Sequence, residues 1–377
     1  MGAWPGKFVI GLTGNIATGK SVVRKMLEHL GAYGIDADSL SNRVISKGSP
    51  GYQPVVETFG RWILAADGQI DRARLGRLVF SDPEALEKLE AIIHPLVRQA
   101  IDILVRRARQ NIVVIEAIKL LEGGLSEMCD SIWVTYTPPE LQLARLIQKR
   151  GMVEAQARQR MNAQTAQDKK VSAADVVIRN QGSFEDTWGQ VMAAWYRLFP
   201  ALEEEAGEPA ATAAGEATIQ RARPREADEV VALINQLSGG KRQATREDVM
   251  AAFGEKAYLM LKINGKALGL VGWKVENLVS RTDDIFIDSS LHYPDAMRLL
   301  LNEVERVSRE LQCEISLLFL PNQAADQESA LTALGYQRKT VVSLGVRAWE
   351  EAAMESMPAG CFLLFKQLRQ DRVLRPV

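Results

Sequence analysis

A chain of 377 residues with 47% apolar side chains is long enough for two cores, and its 25% charged residues balance to a net charge of −1. The basic excess that marks a nucleic-acid binder is missing. Three cysteines, Cys129, Cys313 and Cys361, are odd in number and far apart; they suit neither a disulfide framework nor a metal site, which fits a reducing interior. The first apolar run, Phe8 to Leu12, is too short for a signal or a membrane span. The expectation is a cytoplasmic protein with neither nucleic acid nor membrane as a partner.

That run reads as a strand ending in the loop Gly14-Asn15-Ile16-Ala17-Thr18-Gly19-Lys20-Ser21, and a helix follows from Val22 to Leu30. Strand, glycine loop and helix form the context in which this spacing means phosphate binding. The glycines let successive N–H groups turn inward onto phosphate oxygens, and the helix adds its positive end. Lys20 would reach the β- and γ-phosphates, and the Ser21 hydroxyl would be a ligand of Mg²⁺. The function therefore lies in nucleoside triphosphate chemistry, with ATP held by residues Gly14 through Val22.

A short second strand, Ala32 to Ile35, brings Asp36-Ala37-Asp38 to its carboxyl end. In a parallel sheet with right-handed crossovers, ligands sit off the carboxyl ends of the strands, so Asp36 belongs on the rim of the phosphate loop. A carboxylate there can take a proton from a substrate hydroxyl while the γ-phosphoryl moves. Either aspartate can instead cap the next helix; the roles divide as Asp38 the cap and Asp36 the acting group. Pro83 to Arg109 is the longest helical stretch, and Pro95 within it kinks or restarts the helix. His94, just before that proline, is either packed or turned into the cleft.

Ile112 to Glu116 is a buried strand whose terminal acid, Glu116, falls on the same rim, to position substrate or to reach Mg²⁺ through water. Ser131 to Tyr136 is another strand, and a helix opens at Pro139. That helix carries Arg145 and ends at Lys149-Arg150-Gly151, and a second helical stretch carries Arg158 and Arg160. A helical pair with arginines and a glycine hinge suits a lid over the γ-phosphate. A last short strand ends at Asn180, beside the nucleotide base.

Over residues 7 to about 199 the chain resembles dephospho-coenzyme A kinase. The resemblance rests on the loop Leu12 to Ser21, on Ile35-Asp36-Ala37-Asp38, on Ile93-His94-Pro95-Leu96, on Arg160-Met161-Asn162-Ala163-Gln164, and on Ala173 to Ile178 with Asn180-Gln181-Gly182. It implies an α/β fold with a parallel nucleotide-binding sheet, a helical substrate domain and a lid, and transfer of the ATP γ-phosphate to the ribose 3′-hydroxyl of dephospho-coenzyme A. It implies Asp36 as the base, Arg145 as a lid arginine beside Lys20, and His94, with Glu116 and Arg160, on the substrate side. Where the family has an acid followed by Ile-Pro-Leu-Leu-Phe-Glu, this chain reads Glu116-Ala117-Ile118-Lys119-Leu120-Leu121-Glu122, which alters the substrate cleft. A nucleotide-hydrolysing switch is the competing class for this domain.

Residues 201–217 are small, acidic and broken by Pro and Gly, and read as a linker between residues 1–200 and a second domain at 218–377. There the strand at Thr218 to Ala222 precedes a helix from Arg225 to Leu237. A hairpin follows, Ala257 to Ile263 and Ala267 to Val275 about Asn264-Gly265. Strands at Asp284 to Ile287 and Glu314 to Leu320 flank a long helix from Asp295 to Gln312. Over 218 to about 345 this α+β succession resembles the GNAT acetyltransferases. That family places a glycine-bearing loop before the long helix, so that bare amides grip a pyrophosphate. Here the loop is Asp288-Ser289-Ser290-Leu291-His292-Tyr293-Pro294-Asp295, with two acids and no glycine. The partner is an acyl-coenzyme A, if the domain is an acyltransferase with an altered loop, or a protein, if it is a non-catalytic module; the loop favours the module. The basic amphipathic run from Lys366 to Arg375 is a docking or solvated segment.

Overall fold

The computed structural model describes residues 2–205, 217–240 and 242–370. Its first half runs β1 (Phe8–Thr13), α1 (Lys20–His29), β2 (Tyr33–Asp36), α2 (Ala37–Val44), α3 (Tyr52–Phe59), α4 (Arg72–Ser81), α5 (Pro83–Arg107), β3 (Ile112–Glu116) and β4 (Ser131–Tyr136). It continues through α6 (Pro139–Arg150), α7 (Glu154–Asn162), α8 (Gln167–Ser172), β5 (Val176–Arg179), α9 (Phe184–Leu198) and α10 (Pro200–Glu205). The five strands form one parallel sheet in the order β2-β3-β1-β4-β5. Continuous apolar runs such as Ile112 to Ile115 suit it because both faces are covered. Met26, Leu27 and Trp195 of α1 and α9 fill one face, and α2 to α5 pack on the other through Leu40, Leu89 and Ile101. The phosphate loop leaves the end of β1, between β3 and β4, which is where such sheets bind ligands. Helix α5 is a single helix that passes through Pro95, so the proline does not restart it.

The second half adds β6 (Ala217–Arg221), α11 (Ala227–Leu237), α12 (Arg246–Phe253), β7 (Ala257–Ile263), β8 (Lys266–Glu276) and β9 (Val279–Ile287). After these come α13 (Tyr293–Glu310), β10 (Ile315–Pro321), α14 (Glu328–Ala333), β11 (Gln337–Lys339), α15 (Arg347–Ser356) and β12 (Cys361–Gln367). These strands make a mixed sheet in the order β11-β12-β10-β9-β8-β7-β6. Only β9 and β10 run parallel, and their pairing covers Val279 to Thr282; α13 is the crossover that a parallel pair demands. The turn at Asn264-Gly265 has positive φ at both residues, 52° and 77°, the conformation that twists a tight hairpin correctly.

Three expectations change. Strand β9 begins at Val279 rather than Asp284, because a second tight turn at Asn277-Leu278, with φ of 52° and 61°, joins it to β8. The ends of the expected linker are ordered elements, since α10 extends to Glu205 and β6 starts at Ala217; residues 206–216 lie outside the described residues. In the basic tail, Lys366 is part of β12 and pairs inward with Glu305 at 2.6 Å, while residues 371–375 lie outside the described residues. Among the described residues no helix is long and apolar enough to cross a membrane.

The two halves share a buried boundary. The Arg43 guanidinium bonds the Asn277 carbonyl and pairs with Glu314 at 2.9 Å. Lys25 Nζ donates to the Val275 carbonyl at 2.7 Å, and Gln312 Nε2 to that of Leu104 at 2.8 Å. Leu278, at the tip of the β8–β9 turn, joins the core of the first half.

Candidate active site

The phosphate loop is shaped by close contacts that exclude side chains. A Cβ at Gly19, where φ is 92°, would lie 1.8 Å from Asn180 Nδ2, and one at Gly14 would lie 2.3 Å from Thr135 Oγ1. No side chain caps the start of α1, so its first amides remain available to an anion. Ala17 takes φ of 62°, a strain of the kind kept at ligand clamps.

Ala17, Gly19, Lys20, Ser21 and Val22 line a cleft of about 830 Å³ together with Arg145 and Asn180. The other loop residues shape it from behind. Thr18 Oγ1 bonds the Asn15 carbonyl and meets Thr135 Oγ1 at 2.7 Å. Asn15 Nδ2 donates to the Thr165 carbonyl, and the Ile16 amide donates to Gln164 Oε1 at 2.8 Å. Arg145 donates to the carbonyls of Ala17 and Asn180 and to Thr137 Oγ1. Asn180 Nδ2 in turn holds the Thr18 carbonyl at 3.0 Å.

Beneath the loop, Ser21 Oγ lies 2.9 Å from Glu116 Oε1, while Glu116 Oε2 takes Arg24 Nε at 2.7 Å. Burial works against the Arg24 charge, but Glu28 and Glu116 outweigh it and hold the guanidinium protonated. Lys20 is buried, and that burial lowers its pKa against the pull of Glu116 and Asp38.

The helix cap falls to the other aspartate than the one expected. Asp36, not Asp38, caps α2: its carboxylate accepts from the Ser39 amide at 2.8 Å and the Ser39 hydroxyl at 2.9 Å. It borders a small cavity with Arg24, Leu40 and Leu278. Asp38 accepts from the Ile118 amide at 3.1 Å and opens on a groove of about 280 Å³ that also holds His94, Arg98 and Lys119. Burial first, then the Asp36 charge, push the Asp38 carboxyl up to about 6; burial and Glu116 also raise Asp36. Arg160 stands exposed on α7 and lines neither the cleft nor the groove.

Five participants were given no role from the sequence. Arg24 sits one helical turn after Lys20 but reads as an ordinary helix cation. Arg98 lies one turn after His94, a spacing that could have marked it. Gln164 and Thr165 reach the loop from between α7 and α8, and Lys170 donates to the Ile118 carbonyl at 2.6 Å from a helix whose polar sequence reads as solvated.

A phosphate loop on a parallel sheet, a buried lysine and a carboxylate opening on a second groove define a P-loop phosphotransferase for a small acceptor. The family description "Dephospho-CoA kinase" matches residues 8–186. The dephospho-CoA kinase of Geobacter metallireducens is 44% identical over 190 residues, 50% of this chain and 94% of that protein. That of Streptomyces avermitilis is 43% identical over 190 residues, 50% and 93%. This chain belongs to the dephospho-CoA kinase family.

Among solved structures, TT1252 from Thermus thermophilus is 31% identical, with 51% of this chain and 98% of that one covered and a TM-score of 0.46. A PaiA N-acetyltransferase from Thermoplasma acidophilum, solved with coenzyme A, is 9% identical over 40% of this chain and 99% of its own, with a TM-score of 0.32.

In the second half, several polar groups of the loop ahead of α13 bond within the loop. Asp288 Oδ1 accepts from the Ser290 amide at 2.9 Å and from its hydroxyl, and the Leu291 amide returns to the Asp288 carbonyl. His292 Nδ1 lies 2.8 Å from Asp295.

Proposed function

We propose that the chain phosphorylates the ribose 3′-hydroxyl of dephospho-coenzyme A with ATP to give coenzyme A. ATP occupies the cleft, with its phosphates on the amides from Gly14 to Val22 and on Lys20. The acceptor lies in the groove of His94, Arg98 and Lys119, with Asp38 at the junction. The acceptor oxygen bonds to the γ-phosphorus, the bond to the β-bridging oxygen breaks, and ADP leaves; Asp38 takes the hydroxyl proton. Lys20 and Arg145 offset charge on the moving phosphoryl group. Asp36 acts through the cap, fixing the first turn of α2 that presents Asp38. The observation that carries this reading is that Lys20 and Ser21 line the phosphate-loop cleft while Asp38, whose charge acts on Lys20, opens on the second groove with His94.

Ser21 Oγ at the cleft and Glu116 Oε1 beneath it are two oxygen donors 2.9 Å apart, a donor set that fits a hard cation. They would hold Mg²⁺, which when bound neutralises phosphate charge. Residues 1–200 form the kinase domain, and 218–377 form a GNAT-like module without acyl transfer, since the loop before α13 is occupied by its own carboxylates.

A coupled ADP-release assay tests this. ADP should appear with ATP, Mg²⁺ and dephospho-coenzyme A together and stay near background without the acceptor. Equal release without it would make the chain a hydrolysing switch. Titration of acetyl-coenzyme A into the full chain should give no heat attributable to a second site.

A further inference from the structure

The cleft that holds ATP in this reading is not built by the kinase half alone. Arg246, Glu247, Met250, Ala251, Gly254 and Glu255, from α12 and the turn after it, line it opposite Ser183, Phe184 and Val22. The approach is close: a Cβ at Gly254 would lie 3.3 Å from Phe184 Cε2 and 3.4 Å from Val22 Cγ1.

The helix is also anchored to the one that carries Lys20 and Ser21. At the far end of α1, His29 Nε2 donates to the Phe253 carbonyl at 2.8 Å, and the two rings meet edge to face at 5.4 Å. Trp188 of α9 closes on His29 from the other side and stacks on Phe184. Phe253 and Met250 are buried in the core of the second half, so α12 cannot shift without disturbing that core. An aromatic side chain, an apolar helix face and exposed polar groups at the mouth make a wall for a flat base and its ribose.

The geometry points to α12 as the outer wall of the nucleotide pocket, so that the second half of the chain sets the affinity of the kinase for ATP. This rests on the cleft being the ATP site. The chemistry at the wall is that of a nucleoside, and the phosphates stay with the loop around Lys20.

The test uses the full chain. Ala251 is exposed and faces the cleft, so Ala251→Trp fills the pocket without entering a core. Arg246 lines the exposed mouth, paired with Asp228 at 2.6 Å, and Arg246→Glu exchanges the positive charge at that wall for a negative one. Isothermal titration with ATP should show affinity weakened about fivefold or more in each. Under turnover the KM for ATP should rise in parallel, with the KM for dephospho-coenzyme A within about twofold of the original. Unchanged ATP affinity in both variants would overturn the wall. A parent chain that binds ATP and transfers nothing would instead sink the kinase reading, and the titration would still decide the wall.

Discussion

Asp36 and Asp38 are separated by one residue, yet they meet different surroundings because a strand ends and a helix begins between them. Asp36 is the last residue of β2 and its carboxylate is spent on the Ser39 amide and hydroxyl. Asp38 lies in the first turn of α2 and opens on the groove of His94, Arg98 and Lys119. A base must be ionised to act, so activity should rise with pH through the Asp38 value of about 6 and level off above it. The kcat/KM profile for dephospho-coenzyme A measures this. Asp38→Asn should remove that limb and lower kcat by about 10²- to 10⁴-fold. Asn is as good a helix cap as Asp, so Asp36→Asn should keep activity within about tenfold. Equal loss in the two variants would return the base to Asp36.

At the level of elements, what could be read in advance was whatever depends on local spacing. The glycine loop, the apolar run ending in Glu116 and the Asn264-Gly265 hairpin each carry their physics within a few residues. What stayed hidden depends on groups distant in sequence. Leu278 adopts a left-handed conformation that a branched side chain disfavours, and its burial among Leu40 and Leu104 offsets that cost; no local pattern announces such a turn. The capping roles of the two aspartates were ambiguous for a related reason, since the pattern fixes a helix start only to within a residue or two.

Gln164 is a third case: it reaches the loop from the segment between α7 and α8, and its Oε1 holds the Ile16 amide, one of the donors that phosphate needs. In the proposed ATP site a phosphate that takes this amide displaces the glutamine, at a cost near that of one hydrogen bond, about 1 kcal/mol. Gln164→Ala should therefore tighten ATP binding roughly fivefold by titration. Weaker binding would mean that the glutamine holds the lid shut over bound nucleotide.

For the whole molecule, the boundary between the halves is built from groups that tolerate no vacancy. Glu314 accepts from Arg43 and, at 3.0 Å, from Trp349 Nε1, with almost no exposure. Removing one partner of such a pair leaves a buried charge, which typically costs about 3–5 kcal/mol. Arg43→Met should lower the melting temperature, and Arg43→Met with Glu314→Gln, whose amide oxygen can still accept from Trp349 Nε1, should recover much of the loss; no recovery would assign the cost to the bond between Arg43 and the Asn277 carbonyl.

The boundary should also respond to acid. Burial, reinforced by the Arg221 charge, lowers the pKa of His29 to about 3, and its neutral ring donates to Phe253 while Arg221 lies 3.3 Å from Nδ1. An unfolded histidine titrates near 6.5, so between those values the unfolded chain binds a proton that the folded chain refuses. Stability from this group is complete above about pH 6.5 and falls as the pH drops toward 3, by at most about 1.4 kcal/mol per pH unit. Denaturant unfolding at pH 7.5 and pH 5.5 measures the difference. His29→Gln, which keeps an amide donor for the Phe253 carbonyl and does not titrate, should lose part of that pH dependence. Because His29 anchors α12, ATP affinity should weaken over the same acid range in the parent chain and less so in the variant; affinity falling equally in both would detach the histidine from the nucleotide wall.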